Sequence, residues 1–428
     1  MRNGSPGGQD VADDRSDDVA DDVAVPRVRD SVTRRLRDDN ALAVLHHVWD
    51  LAEVLTPAEP PAEPPAEPPA DAPEVTASDL MRATGLSRAT VHDVCDELIE
   101  RGWLEERRTA RPTPAKGRPA RRYALRAGAG AVVGVDAGAH RLAARVTDLR
   151  GRVLGEASAV VEHDVALDPP QRRVEAVEEV VLAALERAGD PRVLALAVGV
   201  PAPVDADGRT VFTRNPYWAF MNPDLAAALT RRGWPAVVDN DANLAALAES
   251  GQGQGVGVAD QVTLLAGERF GAGVVAGGRL LRGARGGAGE MRHLDIVAGV
   301  GSADGLGKVL RDLAGTGRGP GSTAPEVVAA AAAGGLVATA LVEIAGLRLT
   351  RVVVTLASLL DPERVVVAGG IADAAPLVDV VNRELPAFLD PPRPLVVAST
   401  LGRDVVALGA VRRALDEVRR DALVLTLV

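Results

Sequence analysis

The chain has almost no cysteine and few aromatic residues. Cys95 is its single cysteine among 428 residues, and Phe, Trp and Tyr together make up 2% of the sequence. One thiol excludes an internal disulfide and a zinc site with several cysteine ligands. We expect Cys95 to be a small core residue rather than a reactive thiol.

The sequence also lacks long apolar runs. None reaches the roughly 18 residues that span a bilayer. The N-terminus is acidic and rich in Gly and Asp, without the basic start and apolar stretch of a secretory signal. We therefore expect a cytoplasmic protein with no membrane partner.

The composition, with 47% apolar and 25% charged residues, is that of a globular protein. A chain of 428 residues is too long for one core, so two or three domains are expected. The net charge of -11 argues against indiscriminate binding to nucleic acid. Within residues 101–122, however, seven Arg and one Lys face only two Glu. A basic strip inside an acidic protein favours a local nucleic-acid contact.

Low-complexity segments divide the N-terminal part of the chain. Residues 1–30 hold three Asp-Asp pairs and few large apolar residues, which predicts a disordered acidic tail. Apolar residues at helical spacing predict a helix over 31–54. The insert 57–73 holds three Ala-Glu-Pro-Pro repeats and favours extended polyproline II, so it is expected to be a stiff spacer.

Residues 76–100 have the pattern of two short helices around a glycine. Gly85 supplies the tight turn, and Ser78 and Ser87 are the candidate N-caps of the two helices. The shared apolar side is expected to comprise Leu80, Leu86, Val91, Val94 and Leu98. Two short strands, at 103–105 and 121–125, and a basic loop between them complete the pattern of a winged helix-turn-helix.

This pattern predicts that the segment binds double-stranded DNA. The first residues of the second helix would enter the major groove, and the basic loop would reach a narrow minor groove. The candidate DNA-binding residues are Ser87, Arg88, Ala89, Thr90, His92, Lys116, Arg118 and Arg121. The alternative is an ordinary helix pair followed by a solvated basic linker.

From residue 131 the pattern changes to strands that end in glycine turns. Asp136 and Gly138 lie in the first such turn, in the arrangement that brings a carboxylate and backbone NH groups near nucleotide phosphates. Five further motifs follow in order. They are Leu196-Ala-Val-Gly-Val-Pro, Asn215-Pro-Tyr-Trp, Val237-Val-Asp-Asn-Asp-Ala-Asn, Gly287-Ala-Gly-Glu-Met-Arg-His and Leu360-Asp-Pro-Glu-Arg-Val-Val-Val-Ala-Gly-Gly.

In this order and spacing, residues 42–415 resemble the ROK family (repressors, open reading frames and kinases), in particular its transcriptional regulators with an N-terminal winged helix. The resemblance implies an α/β fold in which a two-lobed, actin-like (ribonuclease H-like) sugar domain follows the winged helix. We expect the winged helix at 31–126, the sugar domain at 127–419 and a C-terminal tail at 420–428. The implied sugar ligands are Asn215, Asn240, Asp241, Glu290 and His293, with Asp241 the catalytic base in the kinases.

The sequence departs from the kinase pattern at the phosphate loops. The first loop lacks the family's Thr hydroxyl, and the second carries Glu268, whose charge would repel phosphate. The residues left at these loops, expected to be vestigial, are Asp136, Gly138, Gly271, Gly273, Gly369 and Gly370. The cysteines of the family's zinc site are missing after His293, and Arg292 replaces a motif glycine. We expect no enzyme activity, no cofactor and no metal.

Three functions follow from this comparison of motifs. The first is a repressor of genes for carbohydrate uptake or metabolism, controlled by a sugar or sugar derivative and acting as a dimer or dimer of dimers. The second is an ATP-dependent sugar kinase, and the third is a repressor that needs no ligand. The alternative for Asn240 and Asp241 is a purely structural role, in a polar turn after a buried strand.

The basic loop generates a prediction that the sequence alone supports. Arg118→Ala should weaken operator binding and reduce the slope of log K against log salt by about one, because one phosphate contact is lost. A salt titration of binding by fluorescence anisotropy measures both quantities. Unchanged affinity and slope would reject the assignment of the loop to the minor groove.

Overall fold

The computed structural model describes residues 28–53, 73–107, 120–211, 214–315, 323–369 and 374–427, with only the backbone for residues 28–34. Residues 28–30, predicted as the end of the acidic tail, are instead the start of a helix, so this part of the prediction is wrong. The rest of the acidic tail and most of the Pro-rich spacer lie outside these ranges. So do three predicted site residues, Lys116, Arg118 and Gly370.

The N-terminal unit is a small helical domain with a three-stranded wing. Its elements are α1 (Val28–Ala52), β1 (Val75–Thr76), α2 (Ala77–Thr84), α3 (Arg88–Glu100), β2 (Leu104–Arg107) and β3 (Arg122–Leu125). The strands are antiparallel in the order β1-β3-β2. β1 pairs with β3 and was not expected from the sequence.

The turn between α2 and α3 forms as predicted. Gly85 ends α2 with a φ of 71°, and the Ser87 hydroxyl accepts a hydrogen bond from Thr90 N at 3.2 Å. The cap of α2, however, is Thr76 rather than Ser78. The Thr76 side chain accepts from Asp79 N, and the Asp79 carboxylate accepts from Thr76 N, which is a capping box.

The apolar side of the helix pair is buried as expected. Leu80, Val91 and Leu98 have no exposed surface, and Leu86 is partly buried against the same cluster. Cys95 is fully buried, and burial raises the pKa of its thiol to about 12. It is therefore a core residue, as predicted.

Two α/β lobes follow the winged unit. The first contains β4 (Ala131–Ala137), β5 (Arg141–Asp148), β6 (Val153–Val160), α4 (Pro170–Arg187), β7 (Val193–Val200), α5 (Pro216–Met221), α6 (Leu225–Arg231) and β8 (Ala236–Asn240). The second contains α7 (Asp241–Gln252), β9 (Gln261–Leu265), β10 (Gly271–Ala276), β11 (Arg279–Leu281), α8 (Leu306–Gly315), α9 (Ala324–Ala332), α10 (Leu336–Leu360), β12 (Arg364–Ala368), α11 (Ala375–Glu384) and β13 (Leu395–Ala398). A last helix, α12 (Val405–Arg420), returns to the first lobe.

The two lobes have the same sheet topology. The first sheet has the order β6-β5-β4-β7-β8 and the second β11-β10-β9-β12-β13. In each, an antiparallel hairpin extends a core of three parallel strands. The parallel strands therefore end at one edge in each lobe, which is where open α/β sheets bind ligands.

Helices α7 and α12 cross each other at a glycine contact. A Cβ on Gly409 of α12 would overlap the carbonyl oxygen of Leu244 in α7. Gly134 of β4 makes a similar approach to the backbone of α12, and Gly273 of β10 to the backbone of α7. The helices can thus approach the sheets and each other only where a side chain is missing.

The winged unit docks on the end of α12 and the residues after it. Trp103 Nε1 donates to the carbonyl of Ala422 at 3.0 Å, and Leu427 N donates to the carbonyl of Arg101 at 3.0 Å. Ala422 and Leu427 are buried in one apolar cluster with the core of the winged unit. As far as Leu427, the segment 420–428 that was predicted as a tail is thus part of a domain contact.

Charged pairs border this contact. Glu53, just after α1, lies 3.0 Å from Arg412 Nη1 and 2.7 Å from Arg419 Nη2, both on α12. Arg150, in the hairpin of the first lobe, donates to the carbonyl of Ala52 at 2.8 Å. The winged unit is therefore attached to the first lobe and to α12 by both apolar and polar contacts.

No single helix in the described ranges is long and apolar enough to cross a bilayer. The helices α9 and α10 reach the required length and apolar composition only when they are counted as one, and the chain bends by 114° between them.

The contact of α7 with α12 predicts the effect of two glycine substitutions. Gly409→Ala should lower the free energy of unfolding by about 2–3 kcal/mol, because its Cβ has no space against Leu244. Gly251→Ala is the matched control: Gly251 also lies in a helix, has no neighbour near its would-be Cβ, and should gain up to about 1 kcal/mol. Urea unfolding of both variants measures the difference, and equal stabilities would contradict the close contact.

Candidate functional site

A cavity of about 390 Å³ lies between the lobes, at the carboxyl ends of the parallel strands. Seven residues predicted from the sequence line it. They are Asp136, Gly138, Asn240, Asp241, Gly271, Glu290 and Gly369. The motifs that were widely separated in sequence thus converge on one site, as the resemblance implied.

Asp241 is the most strongly perturbed acid of the cavity. It is the first residue of α7, and its Oδ1 accepts from Ala242 N at 2.8 Å. Burial raises the pKa of its carboxyl to about 8, and the nearby charges of Asp136 and Glu290 act in the same direction. Near neutral pH this group is largely protonated, so it can donate a hydrogen bond to a ligand oxygen as well as accept one.

Asp136, at the end of β4, is the second buried acid. Burial raises its pKa to about 7, although Arg141 and Arg173 oppose the shift. Arg173 of α4 is itself fully buried and donates to the carbonyls of Ala137 and Gly138. The arginine therefore fixes the backbone of the first loop rather than pairing with Asp136.

Glu290 is the third acid, and backbone contacts hold its position. It forms an antiparallel bridge with Gly271 at the start of β10. The preceding residue, Gly289, has a φ of 82° and lies directly against the carbonyl of Ala272, where a side chain would not fit. Burial raises the pKa of Glu290, while Arg269 and Arg292 lower it.

Asn240 lines the cavity, but most of its amide serves the local backbone. Its Oδ1 accepts from Ala242 N at 3.0 Å and Asn243 N at 3.2 Å, which caps α7. Its Nδ2 donates to the carbonyl of Ala202 at 3.1 Å. These contacts give Asn240 a structural role, and they leave one hydrogen of its side-chain amide for a ligand.

Three other predicted site residues do not reach the cavity lining. Asn215 caps α5 through hydrogen bonds from Tyr217 N and Trp218 N. His293 is exposed and lies outside the lining. Gly273, expected near nucleotide phosphates, instead makes room for α7, since its Cβ would overlap the carbonyl of Ala242.

The two loops that correspond to phosphate loops are joined by charged side chains. Glu268 of the second loop pairs with Arg311 of α8 at 2.7 Å and lies 3.9 Å from His140 Nε2 of the first loop. Its side chain is 37% exposed, so the pair itself contributes little to stability. Its position matters more, because a carboxylate between the loops disfavours a phosphate there.

Several lining residues were not predicted from the sequence. Tyr217 and Trp218 lie in a motif that was noted, yet only the neighbouring Asn215 was chosen. Burial raises the pKa of the Tyr217 hydroxyl to about 12, and the charge of Asp241 adds to the shift. Arg269 and Arg403 also line the cavity, and no sequence signal marked either of them.

The first residues of α3 form the candidate DNA-binding surface. Arg88 and Ala89 are exposed, Thr90 is half-buried, and Ser87 caps the helix. His92 was expected to project outward, but it is half-buried because its Nδ1 lies 2.9 Å from the Tyr123 hydroxyl of β3.

Arg121 is also less available than the sequence suggested. Its guanidinium lies 2.5 Å from Asp96 and 2.9 Å from Glu106. It also stacks over the Tyr123 ring at 5.3 Å. These partners compete with a DNA phosphate for the same charge.

No group of three or more His, Cys, Asp or Glu side chains in the described part of the chain is arranged to hold a metal ion.

Comparison with known sequences identifies the family. The sequence model of the ROK family matches residues 132–417, about two thirds of the chain, and a MarR family model matches residues 70–113. The chain therefore belongs to the ROK family and carries a MarR-like winged helix at its N-terminal end.

One curated relative is named "Putative xylose repressor" and comes from Caldicellulosiruptor sp. (strain Rt8B.4). It is 27% identical over 179 residues, which is 41% of this chain. The alignment spans 43% of the length of that relative.

Solved structures share the fold. A ROK family glucokinase from Streptomyces griseus, in complex with glucose and AMPPNP, is 27% identical with a TM-score of 0.57, and the match covers 67% of this chain and 99% of the kinase. A ROK family transcriptional regulator, a homologue of the E. coli MLC protein, is 20% identical with a TM-score of 0.64, and the match covers 90% of this chain and 98% of the regulator. The actin-like two-lobed domain with an attached winged helix is thus confirmed.

The raised pKa of Asp241 predicts how stability depends on pH. Because the folded-state pKa lies above the ordinary value of about 4, its stabilising contribution is complete below pH 4 and lost as the pH rises through about 8. The stability advantage of Asp241→Asn over the wild type should therefore grow between pH 5 and pH 8 by roughly 4 kcal/mol, because each of these three pH units costs the wild type about 1.4 kcal/mol. Urea unfolding at both pH values measures the change, with the exposed Asp207→Asn as control. A constant difference between Asp241→Asn and wild type would contradict the buried acid.

Proposed function

We propose that this ROK family member is a transcriptional repressor whose affinity for operator DNA is controlled by a sugar or sugar derivative in the cavity between the lobes. The observation that carries the proposal is the path of α12. Its first residues, Val405 and Val406, line the cavity, and its last turn packs under the winged unit. One helix therefore contacts both the ligand site and the base of the DNA-binding domain.

The winged unit supplies the DNA contact in this proposal. Arg88 and Ala89 at the start of α3 are exposed, and the N-terminal residues of such a helix enter the major groove. Ser87, Thr90, His92, Lys116, Arg118 and Arg121 are the other proposed contacts. We assign the DNA-binding domain to 31–126 and the effector domain to 127–419. Two half-sites on the operator would require a dimer or a dimer of dimers.

Ligand control follows from a difference in affinity between two arrangements of the lobes. A sugar that binds Asp241, Glu290 and the free amide hydrogen of Asn240 contacts both sides of the cavity. If closure shifts α12, the winged units of a dimer change their spacing, and operator affinity falls. Asn215 and His293 would join the ligand only after such a movement. The proposed target genes serve carbohydrate uptake or metabolism, and the protein would act in the cytoplasm.

Phosphoryl transfer is the second candidate, because a kinase with glucose and AMPPNP shares the fold at 27% identity. The charge at the phosphate loops argues against it. Glu268 and Arg311 pair where the loops approach each other, and the first loop has no hydroxyl side chain between Asp136 and Arg141. We therefore propose that the chain is not an enzyme.

Two variants should test the binding of DNA and the response to the ligand separately. Operator fragments are first recovered from fragmented host DNA and sequenced, and their binding is followed by fluorescence anisotropy with and without sugars. Arg88→Ala should lose about tenfold in DNA affinity and keep ligand binding, because the contact at the groove is removed. Asp241→Ala should keep DNA affinity and need at least tenfold more ligand for release.

The control for both variants is Arg279→Ala, on the exposed edge strand β11, which should match the wild type in both assays. Normal release of DNA by Asp241→Ala would reject the cavity as the effector site. Recovery of no specific DNA, together with ADP formation from ATP and sugar, would establish the kinase instead.

A further inference from the structure

The cavity holds more positive side chains than a neutral sugar requires. Besides its acids, it is lined by His140, Arg141, Arg269, Arg292, Arg311 and Arg403. A site for hydroxyl groups needs hydrogen-bonding acids and amides, whereas clustered guanidinium groups fit carboxylates and phosphates.

Two of these arginines already have carboxylate partners. Arg141 lies 3.2 Å from Asp404, and Arg311 lies 2.7 Å from Glu268. Arg269, Arg292 and Arg403 make no ion pair within 4.0 Å among the residues that the structure describes, and all three are exposed to the cavity or its mouth. Three charges are therefore available to a ligand.

Arg269 and Arg292 lie at the same end of the cavity as the proposed sugar contacts. Both are close enough to Glu290 to lower its pKa, and Glu290 is bridged to Gly271, two residues after Arg269. The Arg292 guanidinium stacks over Trp218, with 5.3 Å between Cζ and the ring centroid. Stacking fixes the plane of the guanidinium while its N–H groups stay free along the edge.

From this arrangement we propose that the effector is an anionic sugar derivative, either a sugar phosphate or a sugar acid. Its hydroxyl groups would bind Asp241 and Glu290, and its charged group would bind Arg269 and Arg292. This inference rests on the proposed function, because it names the class of ligand for the same cavity. The position of Arg292 also explains the missing glycine of the sugar motif, since a side chain there adds a charge that a neutral sugar would not use.

The charge of the cavity is consistent with this ligand. Burial raises the pKa of Asp136 to about 7 and that of Asp241 to about 8, so near neutral pH these two acids repel an anion less than two full charges would. The guanidinium groups keep their charge throughout this range.

The test compares matched ligands by isothermal titration calorimetry. Glucose, galactose and mannose are each measured as the free sugar, the 6-phosphate and the uronic acid, with inorganic phosphate alone as a further probe. We expect at least one anionic form to bind tenfold or more tightly than its parent sugar. Whether the phosphate or the uronate does so distinguishes the two kinds of anionic group.

Variants then assign the preference to the two arginines. In Arg269→Met/Arg292→Met the tenfold preference for the anionic form over its parent sugar should disappear. Arg269→Lys/Arg292→Lys keeps the charge but not the paired N–H groups, and should retain only part of the preference. Arg279→Met is the control, because Arg279 is exposed and lies outside the cavity.

The outcomes separate this inference from the proposed function. Free sugars that bind as tightly as the anionic forms, and release operator DNA, would overturn the inference and leave the repressor intact. A preference that survives in the Arg269→Met/Arg292→Met variant, or inorganic phosphate that binds as tightly as the sugar phosphates, would also overturn it. Binding of none of these compounds, with no effect on operator affinity, would count against both.

Discussion

The packing of α12 is the contact on which the other parts of this protein depend. One face of the helix lies on the first sheet and on α7, and this is possible only because Gly134 and Gly409 have no side chains. Its last turn and the residues after it complete the core of the winged unit, where Trp103 Nε1 donates a hydrogen bond to the carbonyl of Ala422. A displacement of α12 would therefore move the cavity wall and the winged unit together.

The second constraint is electrostatic. Three carboxyl groups, Asp136, Asp241 and Glu290, line one cavity, and burial raises the pKa of each. The pair of Glu268 and Arg311 lies between the two loops, and Arg269 and Arg292 line the same cavity as the acids. This arrangement of charges is the reason that we propose an effector site here rather than a site of phosphoryl transfer.

The sequence was most informative where a local rule decides the structure. Gly85 and Ser87 were recognised because a left-handed turn and a helix cap each require particular residue types. The cap of α2 was assigned to Ser78 although Thr76 and Asp79 have the spacing of a capping box. Side chains paired across the fold could not be foreseen. Arg121 with Asp96 and Gly273 against α7 each depend on an element distant in sequence.

The hydrogen bond between Trp103 and Ala422 joins residues that are 319 positions apart in the sequence. At a synthesis rate of about 5–20 residues per second, roughly 15 to 60 s separate the appearance of these two residues from the ribosome. Until residue 422 is made, Trp103 lacks the acceptor of this hydrogen bond, and the winged unit lacks the part of its apolar cluster that α12 and the following residues supply. The interval before residue 422 appears is therefore the stage at which we expect binding by a chaperone to matter most.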